Sequence, residues 1–173
     1  MVVKNLTTTR AVNDVAARFG ARVVETRVGE VNLSRALARE GQSAFAFGGE
    51  GNGGVIFPPV SLGRDSLIGT ALVLEALCFS RARLSTLLEA LPRYAHLTDK
   101  LPLGMELAEL YERLERAFPS AVPDRLDGLR LSFPDGSWVG IRPSNTEPIV
   151  RVVAESPVSS WPLATLKAVR ACV

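Results

Sequence analysis

Residues 127–156 read "DGLRLSFPDGSWVGIRPSNTEPIVRVVAES". Short apolar runs alternate there with turn chemistry: "LRLSF", then Pro-Asp-Gly, then "WVGI", then a polar loop, then "IVRVV". Asp-Gly between two such runs is a hairpin signal, because a tight hairpin turn needs the positive φ that these residues tolerate. The pattern predicts strand, turn, strand, loop, strand, an antiparallel meander. Just ahead of it, "LGMELAELYERLERAFPS" places Leu107, Leu110, Tyr111, Leu114 and Phe118 at helical spacing, with the charges of "ELYERLER" on a solvated face. "WPLATLKAVRACV" closes the chain as a short helix. The second half therefore reads as a small α+β domain with an antiparallel sheet, over residues 95–173.

Residues 1–94 read differently. "MVVKNL" is a short buried strand. In the helix that follows, Val12, Val15, Ala16 and Phe19 share one face, and Gly20 stops the run. "ARVVETRV" is the next strand, and "GEVNLSRALAREG" a second helix with Leu33, Ala36 and Leu37 on one side. "AFAF" is a third strand that runs into "GGEGNGG". "DSLIGTALVLEALCFSRA" is apolar nearly all round, which predicts a largely buried helix with Asp65 as its N-cap. "TLLEALPRY" carries a Thr86…Glu89 capping-box spacing. Strand–helix alternation predicts a layered α/β/α domain with a mixed sheet. Composition shifts near Pro92 to His96, where the domain boundary is expected.

The chain has 173 residues, of which 47% are hydrophobic and 22% charged, a composition that supports packed cores. A net charge of +2 provides no broad basic field, so nucleic acid is not expected as a partner. Cys78 and Cys172 form no CxxC pattern and read as free thiols of a reducing compartment. "MVVKNLTTTR" lacks an apolar signal core, and Glu75 interrupts the longest apolar run. The expectation is a cytoplasmic protein with no membrane partner.

Two stretches carry candidate chemistry. In "RPSNTEP", Pro143 fixes one backbone angle and Pro148 biases Glu147 away from helix, so the loop is stiff before any ligand arrives. Arg142 offers a planar fork to an oxyanion, Ser144 and Thr146 add hydroxyls, and Asn145 adds an amide. That donor set suits a phosphate monoester; the alternative is a turn whose side chains cap their own backbone. In "GGEGNGG", five glycines surround Glu50 and Asn52. A carboxylate there repels phosphate, and no GK[ST] follows, so this is no nucleotide cradle. Glutamate beside asparagine pairs an acceptor with a donor-acceptor and suits sugar hydroxyls; the alternative is a flexible turn. His96, the lone histidine, lies in the linker with no nucleophile motif nearby, and Trp138 and Trp161 read as core.

"GGEGNGGVIFP", "GRDSLIGTALVLEAL", "LSTLLEALPRY" and the 127–156 stretch, in that order, resemble the C-terminal part of the α-D-phosphohexomutases. This family holds the phosphomannomutases, phosphoglucomutases and phosphoglucosamine mutases. The resemblance covers essentially the whole chain and implies the family's third domain, truncated at its start, over 1–94, and its fourth domain over 95–173. It implies sugar binding by Glu50, Gly51, Asn52 and Gly53, and phosphate binding by Arg142, Ser144, Asn145 and Thr146. Many members carry serine in place of Asn52, histidine in place of Gly54 and glycine in place of Asn145. Arg27 lies near where some members place a substrate-contacting lysine; an exposed strand-end arginine is the alternative. Glu30 replaces a histidine found in some members.

The resemblance further implies an enzyme that interconverts hexose 1-phosphates and hexose 6-phosphates through a phosphoserine and a bisphosphate intermediate. Its phosphoserine and magnesium loops belong to domains without counterpart here, so this chain by itself is expected to bring no catalytic residue and no metal ligand. Mg2+ and a hexose bisphosphate activator are the implied cofactors of the full-length enzyme, and its N-terminal domains and a phosphosugar the implied partners. The competing reading is a stand-alone, non-catalytic phosphosugar-binding module.

Overall fold

The computed structural model describes residues 1–40, 46–144 and 146–173. They form two compact units, Met1–Pro92 and Arg93–Val173. The first contains β1 (Val2–Asn5), α1 (Ala11–Arg18), β2 (Val23–Thr26), α2 (Glu30–Glu40), β3 (Phe47–Gly49), β4 (Val55–Ile56), α3 (Ser66–Ser80) and α4 (Leu84–Glu89). Its sheet has the order β2-β1-β3-β4, with β4 alone antiparallel. All of β1 is buried, as its unbroken apolar start requires when both faces of a parallel strand are covered. Leu33 and Leu37, one turn apart on α2, pack with Val3, Ala46 and Ile56 as the core. The sheet is mixed and carries helices, in agreement with the α/β reading. The first half of "AFAF" lies outside the described residues.

Two expectations fail in this unit. α3 is not buried: none of its described residues falls in the core, and Leu67 and Phe79 are 81% and 83% exposed. The helix approaches the sheet through Gly69 against Val55 on the short β4, which leaves most of its apolar circumference uncovered within the unit. Its N-cap is as read: the Asp65 carboxylate accepts from the amides of Leu67 and Ile68 at 2.8 and 3.1 Å. The capping box at Thr86 does not form, because the N-cap of α4 lies three residues earlier, at Arg83, with no side-chain cap.

The second unit contains β5 (Ala95–Pro102), α5 (Leu107–Ala117), β6 (Val122–Asp124), β7 (Leu129–Ser132), β8 (Trp138–Pro143), β9 (Ile149–Ser156) and α6 (Trp161–Arg170). The sheet is wholly antiparallel in the order β5-β9-β8-β7-β6. Strand periodicity sends Leu129, Leu131, Val139, Ile141, Val150, Val152 and Ala154 to one face, where Leu110, Leu114, Leu166 and Val169 of the helices close the core. β5 was not foreseen. His96 sits in that strand rather than in a linker, because β9 is long enough to pair with it from Ala95 to Pro102.

Candidate functional site

In the first unit the loops that follow β1, β2 and β3 emerge at one edge of the sheet, the C-terminal edge where open α/β sheets hold ligands. Register sets Asn5 beside Thr26, and Lys4 beside Gly49, so Glu50 follows directly alongside Asn5. The Asn5 amide donates to Glu50 Oε1 at 3.0 Å, and Asn5 Oδ1 accepts from the backbone and hydroxyl of Thr7 and the hydroxyl of Thr8. Buried Lys4 donates to the Thr8 and Thr9 carbonyls and pairs with Glu25 at 3.2 Å, which pins the same loop from below. Glu50 is thus a held group: its side chain is only 7% exposed, and Arg64 Nη1 stands 3.6 Å from Oε2.

The glycine-rich stretch closes on itself. The Glu50 amide donates to the Gly54 carbonyl and the Gly53 amide to the Glu50 carbonyl, with Gly53 at φ +91°. An L side chain resists that angle, so a glycine is needed there. Asn52 spends its carbonyl on the Gly54 amide, which leaves its own NH₂ as the donor it presents. Gly51 is exposed beside Thr7 and Thr8. Arg27 is exposed past the end of β2, with β1 between it and Glu50. The structure therefore gathers Glu50, Gly51, Asn52 and Gly53 in one turn and sets Arg27 apart from it.

Glu30 lies in the same network. Its carboxylate accepts the Arg64 amide at 2.9 Å and Arg64 Nε at 2.7 Å. The Arg64 backbone N–H, then its guanidinium, hold the Glu30 carboxyl below the ordinary glutamate range. Asn5 was missed in the sequence, and Glu30 was noted there without its tie to Arg64. The signal was partial: only the register of three parallel strands brings Asn5 to Glu50.

In the second unit, Arg142 and Pro143 belong to β8, not to the loop. The loop begins at Ser144, whose amide donates to the Ile149 carbonyl at 2.9 Å and closes the hairpin. The hydroxyls of Ser144 and Thr146 lie 3.4 Å apart, so they converge on one point. Asn145 lies outside the described residues. Arg142 Nε stands 3.4 Å from Asp127 Oδ2, and its side chain is partly buried.

Strand register adds two cations that motif reading overlooked. Arg151 on β9 is directly across from Arg142 on β8, and Lys100 on β5 is directly across from Arg151. All three lie on the face opposite the core, one strand spacing of about 4.8 Å apart. Like charges set opposite one another on a sheet destabilise it by roughly 0.2–1 kcal/mol per pair. Asp127 accompanies Arg142; Arg151 and Lys100 are exposed. An anion over this row would relieve the repulsion. Further along the same face, buried Glu155 accepts from Trp138 Nε1 at 3.0 Å and lies 3.1 Å from His96 Nδ1, while the Arg130 guanidinium covers the Trp138 ring at 4.6 Å. Trp138 is buried, as read, but with its indole N–H satisfied on the polar side of the sheet.

A model of the phosphoglucomutase/phosphomannomutase α/β/α domain III matches residues 1–94, and one of the C-terminal domain matches residues 93–171. The chain belongs to the phosphoglucomutase/phosphomannomutase family. It is 36% identical over 163 residues to a phosphoglucomutase/phosphomannomutase of Thermococcus kodakarensis, covering 90% of this chain and 34% of that protein. It is 35% identical over 139 residues to a probable phosphoglucosamine mutase of Methanothermobacter thermautotrophicus, covering 77% of this chain and 30% of that protein. A family protein from Burkholderia thailandensis has a solved structure that superposes with a TM-score of 0.77 at 26% identity, covering 99% of this chain and 37% of that one. The chain thus spans about a third of the length of its relatives. These phosphohexomutase domains contain, among the described residues, no helix long and apolar enough to cross a membrane.

Proposed function

We propose that this chain forms the sugar- and phosphate-recognising part of a phosphohexomutase that interconverts hexose 1-phosphates and hexose 6-phosphates. Two supports are independent of kinship. The row Arg142–Arg151–Lys100, beside the paired hydroxyls of Ser144 and Thr146, is suited to a phosphate dianion. Asn145 completes the donor set as the motif implies. Glu50, held with acceptor capacity to spare, and the free Asn52 NH₂ suit the hydroxyls of a hexose. The cation row carries the reading most directly, since nothing in the architecture of the sheet asks for aligned like charges.

In such an enzyme a phosphoserine gives its phosphoryl group to one end of the phosphosugar, the bisphosphate turns around, and the other phosphate returns to the enzyme. This chain's residues would bind and orient. Guanidinium and hydroxyl groups hold a phosphate without attacking it, and so serve both orientations of the substrate. Magnesium would supply charge neutralisation at the transferred phosphoryl group, and a hexose bisphosphate would prime the serine. Among the described residues no three of His, Cys, Asp and Glu converge. No role assigned to the described residues passes through a magnesium ion. The uncovered apolar surface of α3 supports the remaining domains of the same enzyme as partner, since exposed apolar patches mark interaction surfaces. Arg27, at the same sheet edge as Glu50, would approach the substrate from the side.

The test is calorimetry of the chain with glucose 6-phosphate, inorganic phosphate and glucose. The expected ranking places the phosphosugar above phosphate, and glucose below detection. Equal affinity for phosphate and phosphosugar would remove the sugar-reading role, and binding of none of them would remove the reading as a whole. Turnover of hexose phosphates by the pure chain would contradict the assignment of recognition alone.

A further inference from the structure

The guanidinium of Arg64 is shared. Nε and the backbone amide are engaged by Glu30, while Nη1 reaches Glu50 Oε2 at 3.6 Å. Asn5 holds the other oxygen of Glu50. To reach both carboxylates, the Arg64 side chain crosses the backbone of the glycine-rich turn at Gly54. A Cβ placed on Gly54 would collide with Arg64 Cδ and sit 3.0 Å from Cγ. Gly54 is not in the left-handed region, so its backbone alone does not demand glycine. The passage of Arg64 does.

We propose that Arg64 is a positioning residue for Glu50, that Gly54 is the gap that admits it, and that the pair determines which hydroxyl stereochemistry the turn accepts. This rests on the reading of Glu50 as a sugar contact. The carboxylate of Glu50 has about four acceptor directions, of which Asn5 takes one on Oε1. At 3.6 Å the Arg64 contact is ionic rather than a hydrogen bond, so Oε2 keeps its capacity to accept. Asn5 and Arg64 fix the carboxylate plane from two sides, so the remaining acceptor directions are fixed as well. A hydroxyl pair must match those directions and the Asn52 NH₂ at once. Epimers that invert one hydroxyl lose one of these bonds. Glu30 holds Arg64 in place, so the chain of control runs Glu30, Arg64, Glu50, ligand.

The experiment has a ligand-free arm and a ligand arm. In the first, the Glu50 side-chain carboxyl carbon and the Asn5 side-chain amide are followed by NMR in wild type, Gly54→Ala, Arg64→Lys, Arg64→Ala and the double variant Gly54→Ala/Arg64→Ala. Gly54→Ala and Arg64→Lys should each shift both resonances, and Gly54→Ala should add no further shift in the Arg64→Ala background, because the side chain it displaces is gone. Unmoved resonances in a folded Gly54→Ala protein would overturn the clamp whatever the ligand. In the second arm, glucose 6-phosphate, mannose 6-phosphate and inorganic phosphate are titrated. Loss of the clamp should reduce the preferred hexose phosphate's affinity about tenfold. It should leave inorganic phosphate unchanged and bring the epimers toward equal affinity. A shifted Glu50 with epimer discrimination intact would overturn the specificity role while leaving the sugar reading standing. A wild-type chain that does not discriminate at all would overturn both.

Discussion

Arg142 and Arg151 stand directly opposite each other on β8 and β9, on the polar face of an antiparallel sheet. One of them has a carboxylate beside it, and the other is exposed. A sheet built for stability alone would place opposite charges, or apolar side chains, at such a pair.

Arg151→Ala should therefore move stability and binding in opposite directions. Relief of cross-strand repulsion should stabilise the fold by about 0.2–1 kcal/mol, read from chemical denaturation. Binding of glucose 6-phosphate should weaken by about 1.5–3 kcal/mol, the contribution of a charge-assisted hydrogen bond. A variant that loses stability and keeps its affinity would remove Arg151 from the site.

Arg142→Ala should weaken phosphosugar binding by about 2–4 kcal/mol, because the fork and the charge vanish together. Arg142→Lys should recover only part of that, since lysine keeps the charge without the fork. Arg142 also faces Asp127, so the loss of that ion pair should offset the relief of repulsion from Arg151 and leave stability within about 0.5 kcal/mol of the wild type. Calorimetric titration beside thermal melting separates the two effects, and unchanged affinity in a folded Arg142→Ala protein would reduce the loop to a turn.

How much of this was legible in the chain depends on which contacts are local. The meander, α2 with Leu33 and Leu37, and the Asp65 cap followed from residues close in sequence, where period and capping chemistry act directly. The strand at Ala95–Pro102 did not, because it is held by pairing with β9, some fifty residues on, and its own pattern does not alternate cleanly. The candidate site residues divide in the same way. Glu50, Asn52, Arg142, Ser144 and Thr146 announced themselves by motif. Asn5 and Glu30 join the candidate sugar turn of the first unit, and Arg151 and Lys100 the candidate phosphate row of the second, only by register or by a loop that closes over a distance. The burial assigned to α3 failed because an apolar helix announces that it needs a cover, not where the cover comes from.

That last point is measurable. Leu74→Ala on α3 should change the stability of the chain by less than about 0.5 kcal/mol, since the side chain is exposed. Leu33→Ala in the core should cost about 2–5 kcal/mol. A Leu74→Ala cost approaching that of Leu33→Ala would mean that α3 has a packing partner within the chain.

The Glu30 carboxyl should titrate below the ordinary glutamate range, because the Arg64 amide and guanidinium stabilise its charged form. A depressed value in the folded state means that the tie is complete above the unfolded value and is lost as pH falls through the folded one. Carbon-detected NMR titration of Glu30 gives the midpoint, and Arg64→Ala should raise it only part of the way, because the backbone N–H at position 64 still donates to the carboxylate. An ordinary midpoint in the wild type would leave Arg64 unanchored at Glu30.

The two cores differ in extent. Among the described residues the cluster around Leu33 gathers five buried side chains, and the cluster beneath β8 and β9 gathers thirteen. Units of unequal cohesion open at different temperatures. On warming, the turn that carries Glu50 should lose its shape while the sheet that carries Arg142 still stands. On the proposed reading, the chain would then pass through an interval in which phosphate binding persists while discrimination between sugars is lost.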